Sequence, residues 1–206
     1  MKTAPLIAGL LAMFLATPLA AQNLPDAKSA AKMLFSTRAK AVRAVVIKAA
    51  FLSQSDLQSL TTVAKLQKYY TAIAVSPSGG ITGDAAAAAT NFHSIEAARA
   101  AATVSCNAKK KRSDKPCEIV AETLPDKYTD RRAFQLNPDA TDAFKKKYRR
   151  AKSPKAFATS QQSGMWGQAV KAGSIEAARA AAVAQCQSKA ASAGVQAKDC
   201  QVVSEN

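Results

Sequence analysis

Few residues in this chain have the type and spacing that catalysis needs. His93 is the only histidine, and no acidic residue stands next to it to position it as a general base. Glu118 and Glu122 lie four apart on one face of a predicted strand, and Asp126 and Asp130 lie in a predicted loop. Such pairs could serve glycosidase-like hydrolysis, but exposed carboxylates usually serve solubility. We expect His93 to be structural or solvent-facing, and we keep a small hydrolase using carboxylates near 118–130 as an alternative.

Other motifs with a known chemistry are missing from the sequence. No Gly-x-Ser-x-Gly elbow of a serine hydrolase occurs. The Ser78-Gly79-Gly80 stretch lacks the Gly-Lys-Ser/Thr end of a phosphate-binding loop. The cysteines are widely spaced without a Cys-x-x-Cys pair, which fits neither a zinc site nor a thioredoxin-like motif. We therefore predict no catalytic residue, no metal site and no cofactor, and we favour a non-enzymatic protein.

Basic residues are the strongest compositional signal. The chain has 29 Lys and Arg against 14 Asp and Glu, which gives a formal net charge of +15. Dense positive charge attracts anionic polymers and surfaces, although solvated basic faces are a simpler explanation of the same composition. The anion-binding candidates form two clusters: Lys109, Lys110, Lys111 and Arg112, and then Lys145, Lys146, Lys147, Arg149 and Arg150.

The first residues follow the order of a secretory signal peptide. Met1-Lys2 is a short basic start, residues 6–15 are almost wholly apolar, and Thr17-Pro18 ends that run before Leu19-Ala20-Ala21. The apolar run is about half of the ~20 residues that a membrane span needs. We predict cleavage near Ala21 rather than an uncleaved anchor, and no transmembrane segment. About 185 residues remain, with a formal net charge of +14 because only Lys2 is lost.

An internal repeat organises the remaining chain. Residues 94–102, Ser-Ile-Glu-Ala-Ala-Arg-Ala-Ala-Ala, recur unchanged at 174–182. Each copy follows two short strand-like stretches and precedes a third, which predicts a β-β-α-β unit. Ser94 and Ser174 are expected to cap helices that end near the first cysteine of each unit.

The four cysteines indicate two disulfides. An even number of cysteines in an exported chain is typical of a disulfide-stabilised fold. One cysteine of each unit falls at the predicted helix end and the other at the start of the last strand. Local pairing is the natural choice among three connectivities: Cys106 with Cys117, and Cys186 with Cys200.

The fold class that follows is α+β. We predict two tandem ββαβ repeats, an N-terminal helical or mixed segment and a linking helix. The two units could join into one continuous sheet. The predicted boundaries are a signal peptide at 1–21, an N-terminal mixed segment at 22–67, a first repeat at 68–125, a basic linker with a helix at 126–152, and a second repeat at 153–206.

The motifs of the first unit resemble those of an uncharacterised family of small exported bacterial proteins. The residues that carry the resemblance are 68–77 (Lys-Tyr-Tyr-Thr-Ala-Ile-Ala-Val-Ser-Pro), 91–99 (Asn-Phe-His-Ser-Ile-Glu-Ala-Ala-Arg), Cys106-Asn107 and Pro116-Cys117. The same unit, a helix with a cysteine and then a cysteine before a strand, occurs in a broader group of secreted proteins. The resemblance covers most of the chain after residue 21 and implies export without implying an activity.

Some members of that family carry the name 5-aminolevulinate synthase. That enzyme is cytoplasmic, depends on pyridoxal phosphate and is about twice as long as this chain. It needs a Schiff-base lysine, an acidic partner for the pyridine nitrogen and a phosphate cup. No such constellation is present here, so we expect no such activity.

Together these features predict an exported, non-enzymatic binding protein of the periplasm or the medium. Its basic surface would engage an anionic polymer or lipid surface of the envelope or the extracellular space. Two alternatives stay open, which are the small exported hydrolase and a structural component of the envelope.

Overall fold

A computed structural model describes residues 24–38, 42–130 and 132–206. Within these ranges the chain forms five α-helices and two antiparallel sheets. The helices are α1 (Ala27–Met33), α2 (Gln54–Lys65), α3 (Ile95–Asn107), α4 (Pro138–Lys146) and α5 (Ile175–Ser192). The strands are β1 (Val42–Val46), β2 (Thr71–Val75), β3 (Ala86–Ala89), β4 (Glu118–Pro125), β5 (Ala156–Thr159), β6 (Trp166–Ala169) and β7 (Gln201–Glu205). Short 3-10 turns occupy Gly80–Thr82 and Tyr148–Arg150.

The first sheet has the strand order β1-β4-β2-β3 and carries a helix on each face. The alanine stripe of α3 packs on one face with Tyr69 and Tyr70, and this layer includes both cysteines of the unit. On the other face, Leu60 and Ala64 of α2 pack on β2 and β4. Small residues on α3 let the helix approach the sheet closely, so this core is thin and rich in alanine.

The second sheet has the strand order β6-β5-β7. Helix α5 covers one face through Ala178, Ala182 and Cys186. The approach is close, because a Cβ on Gly167 of β6 would lie 2.1 Å from the carbonyl oxygen of Ala182. The other face carries an aromatic cluster of Phe134, Phe144, Tyr148 and Phe157, closed by α1 and α4.

The two units share several details of geometry. In each, the first strand lies between the other two, and its pairing with the last strand shifts register once, at Ile73/Ala74 and at Phe157/Ala158. Asn91 and Lys171, which precede α3 and α5, both adopt positive φ, at 61° and 55°.

An arginine in each helix also forms a two-pronged ion pair with the last strand. Nε and Nη2 of Arg99 donate to Glu122, and the same two atoms of Arg179 donate to Glu205.

The N-terminal segment does not form a unit of its own. Leu34 packs with α1 in the core of the second unit, whereas the next residue, Phe35, packs on Tyr69, Tyr70 and Tyr128 in the core of the first. After residue 42 the chain adds β1 to the first sheet. The chain therefore crosses from the second unit to the first at residues 34–38, and it crosses back after β4.

Several local predictions are confirmed. The side chains of Ser94 and Ser174 accept hydrogen bonds from backbone amides of the first turn of α3 and α5. The disulfides are Cys106–Cys117 and Cys186–Cys200, each with Cα atoms 6.1 Å apart. A mixed α/β architecture with two disulfides is thus correct.

Two predictions about extent are wrong. Helix α5 does not end near Cys186 but runs to Ser192, because the following residues favour helix until Gly194, at a φ of 69°, ends it. The two units also do not share one continuous sheet, since the structure has two separate sheets. The predicted signal peptide and its cleavage site lie outside the described residues. No described helix is long and apolar enough to cross a membrane.

Candidate anion-binding site

A cation-lined cavity lies where the chain crosses between the two units. It has a volume of about 510 Å³ and is bordered by the end of α1, residues 34–38 and the segment after β4. Among the described residues, four basic side chains line it, namely Lys32, Arg38, Lys127 and Arg132, against one carboxylate, Asp126. None of these four cations forms an ion pair within the described parts of the chain. The cavity therefore has an excess of positive charge.

The rest of the lining is mainly apolar. Leu34, Phe35 and Pro125 contribute to it together with Ser36. These three apolar residues are largely buried, and their exposed edges face the cavity between the cations. Cationic groups around an apolar floor suit a ligand that carries both a negative charge and an apolar part.

Arg132 is held in place by contacts on three sides. Its Nη1 donates to the carbonyl oxygen of Met33 at 2.6 Å, and its Nε donates to the hydroxyl of Thr129 at 3.3 Å. The guanidinium carbon lies 3.8 Å from the centre of the Phe35 ring, which is a cation–π contact. A guanidinium fixed before a ligand arrives loses little freedom on binding.

Lys145 supports the cavity from the helix behind it. Its Nζ donates to the carbonyl oxygens of Leu34 and Phe35, at 3.1 and 2.9 Å. These contacts fix the backbone that carries the cavity floor. Burial lowers the pKa of the Lys145 ammonium, and the positive charges of Arg149 and Arg132 lower it further, against the opposing effect of Asp142. Positive charge thus accumulates around this corner of the molecule.

The second predicted basic cluster therefore adjoins the cavity, and its members have different roles. Lys145 holds the chain after α1, and Lys146 pairs with Asp142 in a surface ion pair. Lys147, Arg149 and Arg150 are exposed at the corner where α4 ends. These three add exposed positive charge at that end of α4.

The first predicted basic cluster lies on a different element. It occupies the Cys106–Cys117 loop after α3, where Lys109 donates to the carbonyl oxygen of Ala86 on β3. Lys110 donates to backbone carbonyls of its own loop, and Lys111 and Arg112 are exposed. No described contact joins this cluster to the cavity, so the nine predicted cations do not assemble through one set of contacts.

His93 has a structural position. It is fully buried, Nδ1 accepts from the backbone N–H of Asn137 at 3.2 Å, and Nε2 lies 3.0 Å from the carbonyl oxygen of Met165. Because a backbone N–H can only donate, Nδ1 is the acceptor and Nε2 carries the proton. The Asn137 side chain donates to the carbonyl oxygens of Asn91 and Gly164. His93 and Asn137 therefore connect the same three segments of the chain. Burial lowers the pKa of His93 to about 4.

The carboxylates near 118–130 do not gather into a pair. Glu122 is buried and gives both oxygens to Arg99, whereas Glu118 is exposed at the start of β4. The strand pairing shifts register at Val120, which lies between the two glutamates. The prediction that they share one face of the strand assumed a regular strand. Asp126 and Asp130 are exposed after the strand.

Sequence reasoning missed the four cations of the cavity. Lys32, Arg38, Lys127 and Arg132 are isolated or lie in short basic pairs, so they form no conspicuous run in the sequence. They meet because the two crossings of the chain lie side by side. No local signal indicates that neighbourhood.

No cluster of three or more metal-ligating side chains occurs among the described residues. Comparisons with protein-family models, with curated proteins and with solved structures found no match. The predicted resemblance to a family of exported bacterial proteins therefore stays a prediction.

Proposed function

We propose that this protein is an exported, non-enzymatic binding protein that engages an anionic partner. The observation that carries the proposal is the cavity lined by four cationic side chains and one carboxylate. The two segments where the chain crosses between the units form its walls. The exposed cations Lys147, Arg149 and Arg150 after α4 add to the attracting charge. Electrostatic attraction of this kind raises the rate and the strength of association with anionic surfaces.

Export and an oxidising location belong to the same proposal. Two disulfides with ordinary Cα separations are compatible with a periplasmic or extracellular protein, where such bonds persist. The apolar run at 6–15 supports a signal peptide cleaved near Ala21.

We also propose that the two units are copies of one ββαβ repeat. Support comes from the identical residues at 94–102 and 174–182, the matched register shifts, and the matched Arg–Glu pairs. Apart from Pro125, the residues that line the cavity lie outside the predicted repeats at 68–125 and 153–206. The proposed binding role therefore belongs to the segments that precede and join the two copies.

Retention on immobilised heparin tests the charge-driven role. The double variant Arg38→Gln/Lys127→Gln removes two cavity cations, and Lys48→Gln/Lys198→Gln removes two exposed lysines that do not line the cavity. We expect the cavity variant to elute at clearly lower salt than the wild type, and the control variant to elute close to it. At an ionic strength of 0.1 M, salt largely screens interactions between exposed charges that are more than about 10 Å apart. Lack of retention of the wild type at low salt would contradict the proposed function.

A further inference from the structure

We propose that the partner of the cavity is an anionic phospholipid surface, with one phosphate-bearing headgroup held in the cavity. This inference rests on the proposed function and names the class of its ligand. Three observations carry it, namely the arrangement of the cations, the apolar floor between them and an exposed leucine beside Arg38.

The cations favour a ligand with several oxygens pointing in different directions. Two of the five N–H groups of the Arg132 guanidinium already donate to the protein, which leaves three for the oxygens of a ligand. Lys32, Arg38 and Lys127 surround the cavity from separate segments of the chain. A phosphate ester can contact several such groups at once, since each lysine acts as a point charge.

The apolar floor favours an amphiphile over a bare ion or a polyanion. Leu34, Phe35 and Pro125 lie among the cations and would contact the apolar part of a bound molecule. A polyanion such as DNA would gain little from this floor, because its affinity comes mainly from phosphate contacts along a track of cations.

Leu66 would add an apolar contact at such a surface. It follows α2 and is 80% exposed. Leu66 and Arg38 line a shared surface depression, whose lining also includes Lys65. Two carboxylates line it as well, Asp139 and Asp142, and they already form ion pairs with Lys68 and Lys146. An apolar side chain beside cations can enter the interface between headgroups and acyl chains while the cations contact the headgroups.

Cosedimentation with vesicles tests the inference with matched variants. The vesicles are equal parts of phosphatidylglycerol and phosphatidylcholine, and phosphatidylcholine alone is the uncharged comparison. We expect the wild type to bind only the anionic vesicles. Arg38→Gln/Lys127→Gln should weaken binding roughly thirtyfold, since each cation at an anionic surface contributes about a factor of five. Lys48→Gln/Lys198→Gln should change it by less than about threefold.

Substitution of Leu66 separates a lipid from a polyanion. Leu66→Ser should weaken vesicle binding by about tenfold or more, because the side chain no longer leaves water on binding. It should leave heparin retention unchanged. Val104→Ser, on the exposed side of α3 and 69% exposed in the wild type, is the control and should change neither.

The outcomes distinguish this inference from the proposed function. Retention on heparin without binding to anionic vesicles overturns the lipid assignment and leaves an anion-binding protein. Vesicle binding that Leu66→Ser does not weaken, or that soluble glycerol phosphate abolishes at equal phosphate concentration, assigns the cavity to a free phosphate ester and also overturns it. Binding to neither heparin nor vesicles overturns both proposals.

Discussion

The buried His93 should make the protein lose stability on mild acidification. Its side chain is neutral in the folded state, with Nδ1 facing the N–H of Asn137 and Nε2–H donating to Met165. Protonation would place a second donor against that N–H and a charge in a dry site. Burial is the main cause of the lowered pKa, while the carboxylate of Asp199 opposes it.

The direction and size of the effect follow from the two pKa values. The pKa is about 4 in the folded protein and 6.5 for an unperturbed histidine. Between these values the unfolded chain binds a proton that the folded chain does not, so the free energy of unfolding falls as pH decreases. The difference of about 2.5 corresponds to about 3 kcal/mol. The contribution of His93 is complete above pH 6.5, decreases as the pH falls towards 4, and is constant below.

Urea denaturation followed by the fluorescence of Trp166 measures this effect. His93→Gln is the matched variant, because an amide can accept from Asn137 and donate to Met165 without titrating. We expect the wild type to lose about 2 kcal/mol between pH 7 and pH 5, and the variant to lose almost nothing there. Carboxylates titrate mainly below about pH 4.5 and so do not obscure this window. Equal slopes for wild type and variant between pH 5 and pH 7 would refute the assignment of His93 as a buried neutral group.

Two substitutions test the packing of the two units. Arg99→Gln leaves the buried carboxylate of Glu122 without its partner and should lower the free energy of unfolding by about 1–2 kcal/mol. The expected loss is smaller than for a fully buried ion pair because Arg99 is partly exposed. Unchanged stability in urea would contradict this expectation. Gly167→Ala places a methyl group 2.1 Å from a carbonyl oxygen of α5 and should lower the free energy of unfolding by about 3 kcal/mol or prevent folding. Thermal unfolding measures the loss. Gly173→Ala is the control, because a Cβ there meets nothing within 4 Å.

Features that depend on neighbouring residues could be predicted from the sequence. Ser94 and Ser174 act as helix caps because a side-chain oxygen reaches an amide three residues on, and this requires no knowledge of the rest of the fold. The disulfide pairing could be predicted from an even number of cysteines, from the short loops between them and from the predicted export. The predicted end of α5 near Cys186 is wrong, because the residues between Cys186 and Gly194 suit a polar loop but are also good helix formers.

Features that depend on distant residues could not be predicted. Nothing in the local pattern shows that Leu34 and Phe35 belong to different cores, since both are simply apolar residues after a helix. The cavity lies where the chain passes from one core to the other. In the sequence, its four cations cannot be told apart from ordinary surface residues. Glu122 was similarly misread, because its environment is set by Arg99, 23 residues away, and by a strand irregularity.

The position of α1 has a consequence for the order in which the chain can assemble. The amide of Ala27 donates to the Asn206 side chain, 179 residues later, and Ser204 donates to the carbonyl oxygen of Pro25. A chain that emerges with its N-terminal end first can complete the first unit while most of the second is still missing. The core of the second unit cannot form completely until β7 packs beside α1. Such contacts between distant segments form slowly, so completion of the first unit should precede the joining of the two ends.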